Sequence, residues 1–180
     1  MMHTEVKVTT QELIDELIEK MSGERGKLLA LLDAMSEDQL LASHVEGDWN
    51  AKQQMSHLCE MEAAYRAWVE RAVEEDGAVV DGVSGDPPAI RLEDATDRSG
   101  PEHTAEMRRQ REKTMQLIES LGPADYDRTA SNKPFGSLTV MQWLRSYYRH
   151  DRMHVDQLSG RDPTYKPRFA SGVEPDQRRG

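Results

Sequence analysis

Apolar residues return at helical spacing in four separate stretches of the chain. In the first, Ile14, Leu17, Ile18, Met21, Leu28, Leu32 and Met35 share one face. Thr9-Thr10-Gln11-Glu12 stands before them as a capping-box pattern, Thr9 and Glu12 each placed to satisfy a free amide at the helix start. Gly23 and Gly26 interrupt the run, each at a cost of roughly 1 kcal/mol relative to Ala. The stripe resumes in phase beyond them, which predicts one long helix over about 10–35 rather than two short ones.

Ser36-Glu37-Asp38-Gln39 then starts a short helical turn, and an irregular stretch follows to Trp49. Asn50 with Gln53 caps a second helix, about 50–75, whose apolar face runs through Leu58, Met61, Tyr65 and Trp68 or Val69. Residues 76–98 form a polar crossover with Gly77, Gly82, Gly85, Pro87 and Pro88. Ser99-Gly100-Pro101-Glu102 opens a third helix carrying Met107, Thr114, Leu117, Ile118 and Leu121, and Gly122-Pro123 stops it. Thr139, with Gln142 three residues on, opens a fourth that runs to about Ser159, its face made of Val140, Leu144, Tyr147, His154 and Leu158. Gly160 and Pro163 close it.

No 20–50 residue repeat and no convincing strand alternation is present. The pattern predicts an all-α domain, a four-helix bundle over residues 1–160. The long crossover between helices two and three lets those two run parallel, an up-down-down-up path. Residues 161–180, rich in Pro, Gly and charge, read as a flexible C-terminal tail.

Composition tempers this picture. Leu, Ile, Val and Phe supply only 32 of 180 residues at a net charge of −10, close to the range in which chains fail to fold. Ten Met and three Trp offset that deficit, since both fill cores. The acidic balance, with a pI near 5.1, argues against an electrostatic grip on nucleic acid or anionic lipid. No run approaches 18 apolar residues, and the opening MMHTEVKVTTQE lacks an apolar signal region. A single cysteine, Cys59, excludes an internal disulfide and fits a reducing compartment, so the expected location is cytoplasmic.

Several well-marked chemistries are missing: no phosphate-binding GxxxxGK[ST] or GxGxxG loop, no HExxH, no GxSxG and no paired CxxC. A di-iron bundle needs two Glu-x-x-His motifs, and the only acidic residue three before a histidine is Asp151 before His154. What stands out is His150 and His154, four apart on helix four, so that both imidazoles share a face. That spacing suits one metal ion and suits a hydrogen-bonded polar patch as well; the patch is the commoner occurrence. His57, near the start of helix two, becomes a third ligand if the two helices face each other. Three neutral nitrogens with open positions would suit Zn²⁺, Ni²⁺ or Fe²⁺ and leave room for water or a substrate.

Other residues carry weaker signals. Glu60, three after His57, is a candidate to orient a bound water or accept a proton, against the commoner reading of a solvated or ion-paired carboxylate. Asp151 is expected to pair with Arg149, Arg152 or another helix. Cys59 lies two residues from His57 and so on a different side of the helix, which makes it a small buried residue and not a nucleophile. His44 and His103 are solitary and expected at the surface. Arg108, Arg109 and Arg111, with Arg145, Arg149 and Arg152, read as solvated faces paired with the many carboxylates; a subset near a metal would suit an anionic cosubstrate.

Two segments bear a family resemblance. Trp49-Asn50-Ala51-Lys52-Gln53-Gln54-Met55-Ser56-His57-Leu58 and His150-Asp151-Arg152-Met153-His154-Val155-Asp156-Gln157-Leu158 are similar to the tryptophan-led second helix and closing HxxxH helix of the DinB/YfiT-like superfamily of metal-dependent proteins. The resemblance spans about residues 10–159, and Asn50 stands where a Ser or Thr often caps. It implies that His57, His150 and His154 hold a nickel or zinc ion in a cleft at one end of an up-down-down-up bundle, often a homodimer. Characterised relatives include thiol S-transferases that use bacillithiol, mycothiol or glutathione, and a mycothiol-dependent maleylpyruvate isomerase. The implied activity is therefore a metal-dependent thiol S-transferase acting with a small thiol. A metal-dependent isomerase or hydrolase on the same site, a non-catalytic metal- or ligand-binding stress protein, and a structural bundle with incidental histidines are the competing readings.

Overall fold

Among the described residues, four α-helix starts close the same two-way hydrogen-bonded box. Ser36 with Gln39, Asn50 with Gln53, Ser99 with Glu102 and Thr139 with Gln142 each exchange side-chain and amide bonds. They begin α2 (Glu37–Leu41), α3 (Ala51–Glu74), α4 (Gly100–Ser120) and α5 (Val140–Leu158). The computed structural model describes residues 8–166. Residues 1–7 of the expected signal-free N-terminus, and 167–180 of the expected tail, lie outside the described residues.

The start of α1 (Gln11–Asp33) falls one residue later than expected. Thr10 and not Thr9 is the cap, accepting the Leu13 amide, because the Thr9 hydroxyl is drawn away to donate to Asp127 Oδ1 at 2.8 Å. Gly23 and Gly26 lie within the one continuous helix, as the unbroken stripe predicted.

The four long helices form a bundle. α1 packs on α4 and α5, and α3 packs on the same two. His57 near the start of α3 meets His150 and His154 near the end of α5, while Tyr65 further along α3 meets Trp143 and Tyr147. Among the described residues no helix is long and apolar enough to cross a membrane.

A small sheet corrects the expectation of a strand-free chain. β1 (Ala78–Val79) pairs parallel with β2 (Thr129–Asn132), which pairs antiparallel with β3 (Gly136–Thr139). Strands of two to four residues with a polar run such as Thr-Ala-Ser-Asn show no alternation to detect. They form because the crossover and the segment before α5 are brought together, and Gly136 supplies the positive φ (73°) at the hairpin turn. Ala130, Val80 and Tyr126 from this region are fully buried and extend the core.

The apolar core lies in two clusters. One is built on Met21, Val69, Trp143, Leu144 and Tyr147, the other on Leu28, Leu32, Met55, Leu58, Met107 and Leu158. Between them each of the four long helices places a buried charge: Arg25 on α1, Glu62 on α3, Arg111 on α4 and Asp151 on α5. The stretch after α5 is fastened too, since Asp156 accepts the Arg161 guanidinium and both the amide and hydroxyl of Thr164 at 3.0 Å.

Candidate metal centre

The capping of α3 at Asn50 fixes the helical phase that turns His57 inward seven residues later. The 140–158 helix carries His150 and His154 on its inner face, one turn apart. The three imidazoles are buried and offer nitrogen atoms that all lie within 4.8 Å of one another. Ring centroids are 5.0 Å apart for His57 and His150, 5.8 Å for His57 and His154, and 4.7 Å for His150 and His154. The Nε2 atoms of His150 and His154 face each other at 3.1 Å.

This donor set fits a divalent cation. Metal–nitrogen bonds of about 2.0–2.1 Å in a tetrahedral site place neighbouring nitrogens about 3.3 Å apart, close to the spacing of the two Nε2 atoms. The donors are also in the right protonation state. Burial, and then the charge of His150, push the His57 imidazole down to about 3. Burial, and then the Arg25 guanidinium, push His150 down to about 4. His154 is carried well below its usual value by burial and by His150, His57 and Arg25. All three are neutral at physiological pH, and neutral imidazole is the form that coordinates.

Gln54 is a neighbour that the sequence reading passed over. Its Oε1 lies 2.8 Å from His154 Nδ1, and its Nε2 donates to the Trp49 carbonyl at 3.1 Å. The Trp49 ring stands 4.9 Å from His57, so the residue that leads into α3 walls the site. Gln54 is three residues before His57 and so on an adjacent face, a relation visible in the sequence had amides been weighed alongside carboxylates.

The other candidates fall elsewhere. Glu60 is half-buried and accepts the Leu92 amide of the crossover, and burial raises its carboxyl; it is not one of the converging donors. The Cys59 thiol is buried and pushed up by that burial, in keeping with a packing role. His44 is exposed, with Nε2 2.9 Å from the Leu158 carbonyl. His103 departs from the surface expectation: it is 2% exposed and its Nε2 donates to the Ala95 carbonyl at 2.7 Å, because the Leu92–Asp97 turn, packed on α3, brings that carbonyl to it.

Beneath the histidines lies the four-helix charge layer. Arg25 bonds Asp151 through Nε and Nη2 at 3.0 and 2.9 Å, and Glu62 through Nη2 at 2.7 Å. Arg111 bonds Glu62 at 2.8 Å and Asp151 at 2.9 Å. The remaining guanidinium donors reach the Met107 and Met21 carbonyls, and Thr114 donates to Glu62. Two cations face two carboxylates and every guanidinium nitrogen is hydrogen-bonded, which is what makes burial tolerable. Asp151 thus pairs with other helices, one of the expected alternatives. Arg111 is a correction to the solvated face, drawn inward by those two carboxylates; Arg108 and Arg109 are half-exposed or exposed and pair with Asp33 and Glu106 as expected.

The sequence model of the DinB superfamily matches residues 20–158. YuaE of Bacillus subtilis, an uncharacterized protein, is 21% identical over 140 residues, covering 71% of this chain and 85% of YuaE. The structure of YfiT from Bacillus subtilis, described as a probable metal-dependent hydrolase with an unusual four-helix bundle topology, superposes with a TM-score of 0.69. That match has 16% identity over 86% of this chain and 88% of YfiT. TT2238, a four-helix bundle protein, superposes with a TM-score of 0.62 at 22% identity, over 82% of this chain and 98% of that one.

Proposed function

The chain belongs to the DinB superfamily, and from that premise we propose a metal-dependent enzyme that holds a divalent ion, nickel or zinc before iron, through His57, His150 and His154, and transfers a small thiol. The observation that carries this reading is the convergence of three buried, neutral imidazoles with, among the described residues, no carboxylate joining the converging donors.

Such a donor set leaves the charge of the ion uncompensated. His57, His150 and His154 would hold a divalent ion, which would favour the ionised form of a thiol or a water bound to it. A thiol, with an ordinary value near 8.5, needs a far smaller displacement to ionise at neutral pH than water at about 15.7. With no carboxylate among the described residues of the cluster, the group that ionises with least help is the better fit. Transfer joins the thiol sulfur to an electrophilic carbon; the displaced group leaves with the bonding electrons and the thiol proton passes to solvent. The three histidines bind, Gln54 and Trp49 hold the ring positions, and the buried setting limits competing water.

Hydrolysis at the same site is the second reading, favoured by the description of YfiT as a probable metal-dependent hydrolase. Elemental analysis of untagged protein, followed by assay of small thiols with an electrophilic probe such as monobromobimane, decides. Near-stoichiometric metal that His57→Ala lacks, with thiol-dependent conjugation, is the expected result. Metal without thiol turnover, but with ester or amide hydrolysis, moves the assignment to the hydrolase; no metal in the protein overturns both.

A further inference from the structure

We propose that Gln54 is a positioning residue for His154, fixing which of its two ring nitrogens is free to bind a metal. The inference rests on the three-histidine reading above and concerns a residue outside the ligand set.

The Trp49 carbonyl can only accept, so the group facing it at 3.1 Å is the amide nitrogen of Gln54. That settles the rotation of the amide and turns Oε1, which can only accept, toward His154 Nδ1 at 2.8 Å. His154 Nδ1 must therefore carry the ring proton. Its Nε2 is left with a bare lone pair aimed at the His150 Nε2 3.1 Å away and at the centre of the cluster. The orientation is relayed from a main-chain group: Trp49 carbonyl to Gln54 amide to His154 ring. Gln54 is itself 8% exposed, so neither bond competes freely with water. A metal-binding histidine held by an acceptor on its distal nitrogen gains both a fixed ring plane and a more basic donor.

The test uses the full chain, with and without Zn²⁺ and Co²⁺. Two-bond ¹H–¹⁵N spectra of metal-free protein report the His154 tautomer directly, and Co²⁺ visible absorption with Zn²⁺ competition reports affinity and geometry. The wild type is expected to show His154 wholly in the Nδ1–H form. Gln54→Leu is expected to give a mixture of tautomers, a Zn²⁺ affinity lowered about 10- to 100-fold, and an altered Co²⁺ spectrum at unchanged stoichiometry. Gln54→Glu keeps an acceptor and is expected to hold the tautomer, with affinity no lower than a few-fold below wild type, which guards against a Gln54→Leu chain that merely folds poorly. Wild-type affinity and an unchanged tautomer in Gln54→Leu overturn the role of Gln54 and leave the three-histidine site standing. Failure of the wild type to bind either ion overturns the site together with the role of Gln54 in it.

Discussion

Arg25 closes on Asp151 with two parallel bonds, Nε to Oδ2 at 3.0 Å and Nη2 to Oδ1 at 2.9 Å, and Asp151 is the residue next to His150. The pair belongs to a layer of four charges, one from each long helix, that separates two apolar clusters. It also sets the turn of α5 from which His150 projects. Structural charge and candidate chemistry thus share one helical turn.

Removing one member of such a layer strands its partners. Arg25→Met is expected to destabilise the fold by about 3–5 kcal/mol, because Asp151 and Glu62 lose one of the two cations they share and are left with Arg111 alone in a dry setting. The double variant Arg25→Met/Asp151→Leu is expected to lose less than the sum of the singles, with a coupling of roughly 0.5–3 kcal/mol. Urea unfolding of the metal-free protein measures both. Additive losses would mean that the two side chains do not act as a pair.

The same layer predicts acid sensitivity. Burial by itself would raise the Glu62 carboxyl, but Arg111 and Arg25, with bonds from Arg111 and Thr114, carry it down to about 2 from the usual 4.5. A carboxyl lower in the folded than in the unfolded chain gives stability that is present in full above the unfolded value. That contribution is expected to fade as pH falls from about 4.5 toward 2, where the folded group also takes up its proton. Stability measured against pH for wild type and Glu62→Gln checks this: the variant starts less stable and loses this part of the slope. Parallel curves over that window would contradict it.

The helices were legible because their start signals are local. Asn50/Gln53, Ser99/Glu102 and Thr139/Gln142 are four-residue devices that need nothing from the rest of the fold, and each marks its helix. Thr9/Glu12 failed because a distant carboxylate, Asp127, took the Thr9 hydroxyl. The short strands were invisible for a similar reason: their pairing is decided by where the crossover lies and not by any alternation of their own. The charge layer did leave a trace. Arg25 sits between Met21 and Leu28 on the apolar stripe of α1, and Glu62 sits between Leu58 and Val69 on that of α3. A charge on a core face signals a buried partner, yet only the bundle reveals which one. Within the site, the three histidines were named from spacing and resemblance; the nearness of Gln54 to His57 is legible in the sequence, but its bond to His154 is made across helices and needs the fold.

His103 offers a contrast among the histidines. It is buried like the three of the cluster, but its Nε2 is spent on the Ala95 carbonyl, pinning the crossover to α4. His103→Ala is expected to lower stability by about 1–3 kcal/mol through the stranded carbonyl and the lost packing, and to leave metal content unchanged. Thermal unfolding with elemental analysis tests the two halves separately; loss of metal in this variant would show that the crossover and the cluster are coupled.

The sharpest expectation concerns His154. It is the most enclosed of the three cluster histidines, it contacts both others, and Gln54 holds its far side. An ion that binds only the folded chain stabilises it by about 4 kcal/mol at a thousandfold excess over its dissociation constant. For a chain of this length, that raises the melting temperature on the order of 10 °C. Adding Zn²⁺ or Ni²⁺ to metal-free wild type is expected to produce such a rise, and a chelator to reverse it. His154→Ala removes one of three donors and opens a small cavity. It is expected to fold with a modest loss of stability, to hold no stoichiometric metal and to show almost no rise on adding either ion. The paired measurement separates binding from folding, because the variant is compared with its own metal-free state. A rise in His154→Ala equal to that of the wild type would move the metal away from the cluster and leave the three imidazoles as a buried polar patch.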